Sequence, residues 1–324
     1  MFSIVNNRMC YKKNIRYIAL FFVFIYLFSL SSYSYSIQHN NDIFSRLEDQ
    51  CASAAVVDAK NGEILYSYNI DKQIFPASLT KIMTAYVVFD AINNGIVGMN
   101  DDVEIISKLA RDYNIDKRIT IEDLIYKMIV RSSNIASDIL AKEIYGNVDK
   151  FISKMNYFAK KIGMKNTNFV NTNGLPNKYN YSTARDIVKL SIRLVYDFPQ
   201  YADIFGITNY IDENSNYNTK TSSIQDNVIG LEGNKTGYIN ASGYNLCAWG
   251  KYGDKHLFII LIGAKDRQSR DKFAIELINS YSDNSDFKEK TGVYYTNFFK
   301  KILDFIGIEY NSYSSPKPIE RIEK

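Results

Sequence analysis

The sequence predicts a mixed α/β (α+β) fold: a five-stranded sheet carrying a helical subdomain inserted between its second and third strands. Three observations predict it. Two strand-like runs near the N-terminus are joined by a turn signal. Helical periodicity then extends from about Asn100 to Phe198, and three more strand-like runs precede a final helical stretch. With 324 residues, 46% of them hydrophobic and 23% charged, the chain has ample apolar material for one large domain or two small ones.

The first two strands are Cys51–Asp58 and Glu63–Tyr68, both rich in β-branched or aromatic residues, with Lys60-Asn61-Gly62 as the hairpin turn. A helix is expected from near Ser78 to Asn93, because Ile82, Met83, Tyr86, Val87 and Phe89 recur at helical spacing before Gly95 and Gly98 end it. Ile121–Arg131 and Asn134–Ile144 read as two short helices. Another opens at Tyr181-Ser182-Thr183-Ala184-Arg185-Asp186, with Ser182 or Thr183 as its cap. The polar run 209–227 reads as a surface loop. Leu231–Tyr238, Tyr244–Lys251 and His256–Ala264 complete the sheet, and Asp271–Tyr281 has helical spacing.

Both ends are set apart from this unit, 37–284. Residues 1–36 place Arg8, Lys12, Lys13 and Arg16 before the apolar run Ile18–Leu30 and the small, polar run Ser31–Ser36. That order is expected of a secretory signal peptide, and the apolar run is shorter than a membrane span needs; an uncleaved anchor is the other reading. Residues 285–324 form a tail in which Tyr295, Phe298, Phe299, Ile302, Phe305 and Ile306 share one helical face. The stretch 294–308 could dock on the domain, bind a partner or lie on a membrane surface.

Charge narrows the partners. The chain has 39 basic and 35 acidic residues, a net charge of +4, but residues 1–36 hold four of the basic ones and none of the acidic. The remainder is balanced, which gives no footprint for nucleic acid. Cys51 and Cys247, both expected on core strands, could form one bridge in an exported protein or stay as buried thiols.

Only two histidines are present, His39 and His256, so a serine–histidine–carboxylate triad has little to draw on, and His256 reads as a strand-edge residue. No nucleophile elbow, zinc-binding helix, phosphate-binding loop or dinucleotide fingerprint occurs, and nothing points to a metal or cofactor. Three short motifs remain, in this order: Ser78-Leu79-Thr80-Lys81, Ser132-Ser133-Asn134 and Lys235-Thr236-Gly237. Singly, each has an ordinary structural reading: Ser78 and Ser132 as helix caps, Asn134 as a turn residue, the third motif as a strand end. Together, in this order and each at an expected element boundary, they form a known set built around a serine nucleophile.

The chemistry agrees with the spacing. Ser78 and Lys81 lie three residues apart and share a helix face. A serine hydroxyl needs a nearby base, and Lys81 can serve if burial and a second cation, Lys235, lower its proton affinity. Ser132 could relay a proton to the leaving group, and Asn134 could hold a substrate amide. The third motif lies on a strand along which an extended substrate could pair, with Gly237 leaving room for its backbone and Lys235 and Thr236 gripping a carboxylate. The N–H groups of Ser78 and Tyr238 could then receive the oxyanion.

With these motifs, and with Pro76–Thr84, Asn173-Gly174-Leu175, Ser182–Asp186 and Gly243-Tyr244-Asn245-Leu246, the chain resembles the D-alanyl-D-alanine carboxypeptidase family of low-molecular-mass penicillin-binding proteins over roughly residues 50–284. The resemblance implies a penicillin-binding-protein/β-lactamase-like fold, a five-stranded antiparallel sheet flanked by helices, with its active site in the cleft between sheet and helical subdomain. It implies a serine-type enzyme that trims the terminal D-alanine from peptidoglycan stem peptides through an acyl-enzyme on Ser78. It also implies inhibition by β-lactam antibiotics. The signal-like residues 1–36 give an expected exported, periplasmic location, and the stretch 294–308 gives attachment to the outer face of the inner membrane as one option.

Some positions depart from the family pattern. Ser133 stands where glycine is often found. Lys220 stands where well-known members use an arginine for the terminal carboxylate; it keeps the charge but loses the bidentate fork. Arg270 matches a second basic position near the site, or is a solvated helix residue. About 40 residues follow the catalytic part, too few for the C-terminal β-domain of many relatives. Three rivals stand beside the carboxypeptidase reading: an endopeptidase cutting D,D cross-links, a β-lactamase, and a non-catalytic wall-binding protein. The β-lactamase lacks its glutamate, because Asn171–Tyr181 contains no acidic residue.

Overall fold

The computed structural model describes residues 44–104, 118–207 and 224–282. The expectations for 1–36, for the tail 285–324 and for Lys220 therefore lie outside the described residues. Strands β1 (Ser53–Asp58) and β2 (Glu63–Tyr68) form the first hairpin. Helix α1 (Thr80–Asn93) follows, then the small pair β3 (Asp102–Glu104) and β4 (Arg118–Thr120). Helices α2 (Ile121–Ile129), α3 (Asn134–Tyr145), α4 (Val148–Ile162) and α5 (Ala184–Asp197) come next. Strands β5 (Leu231–Ile239), β6 (Gly243–Tyr252) and β7 (Lys255–Ala264) precede α6 (Arg267–Tyr281).

The five long strands form one antiparallel sheet in the order β2-β1-β7-β6-β5. Chain order differs from sheet order because β7 inserts beside β1, leaving β2 and β5 as the edges. The sheet is buried on both faces, so its central strands are nearly continuous apolar runs. Successive residues point to opposite sides. Ala55, Val57, Cys247, Trp249, Phe258 and Ile260 face the cluster that includes α1 and α5. Ala54, Val56, Leu246, Ala248, Leu257 and Ile259 face α6. Each fully buried aliphatic side chain of this kind stabilises by about 1.5–3 kcal/mol before chain entropy is set against it.

Several helix starts are fixed by side-chain caps. Thr120, Ser133, Asn147, Thr183 and Asp266 each accept a hydrogen bond from the backbone N–H three residues on. Of the two expected caps for α5 the structure uses Thr183, and at α3 the cap is Ser133, not Ser132. The Ser182–Asp186 segment is scaffolding. Arg185 forks onto Asp71 at 2.6 and 2.9 Å, and Asp186 accepts from Asn166 N at 2.8 Å and Thr167 Oγ1 at 2.9 Å.

Four expectations are corrected. Ser78 lies in a single 3-10 turn, Ala77–Leu79, ahead of α1. The last helix begins four residues early because Asp266 caps it. Residues 224–227, expected within the loop, form a short helix with Ile224 buried against the α6 side of the sheet. Cys51 precedes β1 and packs on the α6 side, whereas Cys247 faces the opposite side; both thiols are free and buried.

Candidate active site

Among the described residues the three motifs meet along β5, an edge strand of the sheet, where it faces the turn before α1 and the start of α3. Their local backbones differ. Lys235, Thr236 and Gly237 lie on regular strand, paired with Cys247, Leu246 and Asn245 of β6. Ser78 and Ser132 lie on irregular backbone: Ala77, immediately before Ser78, has φ 51°, and Ser132 has φ 56°. Left-handed conformations at non-glycine residues cost of order 1–3 kcal/mol each and persist only where surrounding contacts enforce them.

Those contacts are visible. A Cβ on Gly237 would lie 3.0 Å from Ser78 N and 3.2 Å from Pro76 O, so β5 presses directly on the turn that carries Ser78. On the other side, Gly174 (φ +85°) packs so tightly that a Cβ there would overlap the carbonyl of Ala77. The turn containing Gly174 is held by Asn171 Oδ1, which accepts from Gly174 N at 2.7 Å, and by Asn173 Oδ1, which accepts from Leu175 N at 3.0 Å.

Lys81 is fully buried, with its Nζ 3.1 Å from Ser78 Oγ, 2.7 Å from Asn134 Oδ1 and 2.7 Å from the Asn173 carbonyl. Burial, and then the charge of Lys235, push its pKa down from 10.5 to about 6, against an upward pull from Asp138. Lys235, also buried, reaches Ser132 Oγ at 3.0 Å and the Thr236 carbonyl at 3.1 Å. Burial, and then the charge of Arg270, lower its pKa from 10.5 to about 7.

This geometry can make a nucleophile. As an ammonium, Lys81 has three N–H groups for three oxygens. As an amine it keeps two, which can stay on Asn134 Oδ1 and Asn173 O. Its lone pair is then left facing the Ser78 hydroxyl, which can donate to it. A pKa near the working pH suits that role.

The remaining expected residues fall as follows. Asn134 opens α3 and spends its oxygen on Lys81. Tyr238 is half exposed at the end of β5, its ring 4.4 Å from that of Tyr244. Arg270 is not a solvated helix residue: it is 2% exposed, bound to Asp271 at 2.7 Å, and near enough to act on Lys235. His256 stands apart, near the start of β7, with Nδ1 3.0 Å from Tyr196 Oη and Nε2 3.0 Å from Glu232. These groups line a separate cavity of about 300 Å³ together with Trp249 and Lys251. Among the described residues no cluster of three metal-ligating side chains occurs.

Motif reading gives no role to Asn173, although it belongs to a recognised segment, and passes over Asp138 altogether. The one available signal was that Asp138 follows Asn134 by four residues and so shares its helix face.

Residues 40–266 match the family model described as D-alanyl-D-alanine carboxypeptidase. The D-alanyl-D-alanine carboxypeptidase DacA of Haemophilus influenzae is 34% identical over 204 residues, covering 60% of this chain and 51% of that protein. Penicillin-binding protein 5 from Haemophilus influenzae superposes with a TM-score of 0.67 at 29% identity, covering 71% of this chain and 70% of that one. Penicillin-binding protein D2 from Listeria monocytogenes, solved in its cefotaxime-bound form, gives a TM-score of 0.65 at 28% identity, covering 71% of this chain and 96% of the other. The chain spans about half the length of the Haemophilus DacA it matches.

Proposed function

The chain belongs to the D-alanyl-D-alanine carboxypeptidase family of serine peptidases, and from that premise we propose that it removes the terminal D-alanine from peptidoglycan stem pentapeptides through an acyl-enzyme on Ser78. The observation that carries the reading is the placement of Lys81 Nζ: 3.1 Å from Ser78 Oγ, with two further oxygens at 2.7 Å to occupy its N–H groups.

In acylation, Ser78 Oγ attacks the carbonyl carbon of the penultimate D-alanine and its proton passes to Lys81 Nζ. The C–N bond breaks, and the proton travels through Ser132 Oγ to the leaving amine, giving D-alanine and an ester on Ser78. Water then attacks the ester, Ser78 recovers its proton, and the shortened peptide leaves. The Ser78 and Tyr238 N–H groups receive the oxyanion in both steps. Asn134 offers its amide donors to the substrate, and the substrate backbone adds along the edge strand β5 beside Gly237. Lys235, Thr236 and Lys220 hold the terminal carboxylate, with Arg270 acting from behind through Lys235.

A β-lactam carbonyl meets the same hydroxyl, so penicillins acylate Ser78 and inhibit. The relative solved with cefotaxime bound is consistent with that expectation. We also propose that residues 1–36 direct export to the periplasm, and that 294–308 gives peripheral attachment at the outer face of the inner membrane. Among the described residues no helix is long and apolar enough to cross a membrane.

D-alanine release from a pentapeptide ending in D-alanyl-D-alanine, followed for the parent and for Ser78→Ala, tests the reading. Release by the parent and none by the variant is expected. Release undiminished by Ser78→Ala would refute it. Cross-linked dimer consumed in preference to pentapeptide would shift it to endopeptidase.

A further inference from the structure

The oxygen that steadies Lys81 most unexpectedly is a backbone carbonyl, that of Asn173, and this carbonyl does not stand on a helix or strand. It belongs to the Thr172–Asn173 segment, buried between α1 and α3. From α1, Thr84 Oγ1 donates to the Thr172 carbonyl at 2.5 Å. From α3, the Asp138 carboxylate accepts from Thr172 Oγ1, and from Asn173 Nδ2 at 3.3 Å to each of its oxygens. Asp138 lies one turn beyond Asn134, so the two supports of Lys81 issue from the same face of α3: Asn134 directly, and Asp138 through Asn173.

We propose that Asp138 is a positioning residue for the acylation assigned above: its carboxylate clamps Thr172 and Asn173 so that the Asn173 carbonyl holds Lys81 Nζ with its lone pair on Ser78 Oγ. The inference rests on the functional reading of Ser78 and Lys81. Without the clamp, the Asn173 carbonyl is tied only through Thr84 and the turn at Gly174. The amine then has one firm acceptor and can rotate off the nucleophile. Misalignment of that kind costs rate without breaking the fold.

The clamp also carries charge. The charged groups acting on Lys81 are Lys235 from β5 and Asp138 from α3, of opposite sign. The facing groups of the turn before α1 (Ser78), of α1 (Thr84) and of residues 171–174 are neutral, and Arg270 of α6 acts on Lys235. Asp138 therefore favours the protonated amine, and its removal shifts Lys81 toward the free base at lower pH.

The test is the second-order rate of Ser78 acylation by a fluorescent penicillin from pH 5 to 9, on the full chain, beside a thermal melt of each variant. Asp138→Asn keeps the size and removes the charge. It is expected to lower the plateau by about tenfold or more and to move the acidic limb down by about half a pH unit or more. Thr172→Val removes one donor and leaves the charge, and is expected to lower the plateau with the limb unmoved. A parent that acylates beside an Asp138→Asn variant of equal plateau and equal limb overturns this inference alone. So does a loss that follows the melting temperature with the limb unmoved, since that is a structural role. A parent that does not acylate removes the functional reading, and this inference with it.

Discussion

The two walls of the cleft are built on different principles. The sheet wall is β5, a regular edge strand whose Lys235, Thr236 and Gly237 are placed by pairing with β6. The helical wall is assembled from breaks in regular structure: Ala77 and Ser132 at positive φ, the turn at Gly174, and the Thr172–Asn173 segment clamped between α1 and α3. Each wall contributes a lysine environment. Both amines hold oxygens, but the charge beside them differs: Lys235 has the cation Arg270 behind it, whereas Lys81 has the carboxylate of Asp138 to offset the cation Lys235. The lesson is a division of labour. A strand edge suits an extended substrate because its backbone is rigid and repeating. Tuning one amine as a base needs acceptors brought from several directions, which regular elements cannot supply from one side.

The sharpest break of that contrast is Lys81→Met, which leaves the sheet wall intact and removes the group the helical wall serves. Acylation is expected to fall by about 10²–10⁴-fold, read with a penicillin reporter, while the protein becomes more stable. Folding lowers the Lys81 pKa from 10.5 to about 6, so between those values the unfolded chain binds more protons than the folded one. The buried amine therefore costs most stability below pH 6 and progressively less as pH rises toward 10.5. Melts of parent and variant should differ most at pH 6 and below, with the gap closing as pH rises toward 10.5.

Gly174→Ala attacks the helical wall from its backbone. Its positive φ and the overlap with Ala77 O give an expected loss of about 2–4 kcal/mol, measurable by urea unfolding, and slower acylation because the turn under Ser78 must shift. Lys235→Gln tests the coupling between the walls. Loss of that cation raises the Lys81 pKa, so the acidic limb of acylation should move to higher pH, opposite to the movement expected for Asp138→Asn. An unmoved limb would mean that the walls do not communicate through charge. The smallest effect is Ser133→Ala. It removes the α3 cap, should cost about 1 kcal/mol in a melt, and should loosen Ser132.

The same contrast explains what was legible in the sequence. The five strands and the first hairpin followed from apolar runs, alternation and a turn signal, whereas the antiparallel sheet came with the family resemblance, and the insertion of β7 beside β1 leaves no local mark. The three motifs converge as their order implied, and Ser78, Lys81, Ser132, Asn134, Lys235 and Gly237 stand together. Ser133, a departure from the common glycine, proves to be the α3 cap, a task that a rule about local hydrogen bonding could have assigned. Asp138 and the Asn173 carbonyl were not legible. One depends on helix register against a loop that arrives more than thirty residues later, and the other is a backbone atom that no residue type announces.

The most direct test of the central claim is the intact mass of the protein after mixing with penicillin, followed by peptide mapping. One added penicillin is expected, located on the peptide containing Ser78, and none on Ser78→Ala. An adduct that persists in Ser78→Ala, or that maps to another residue, would contradict it.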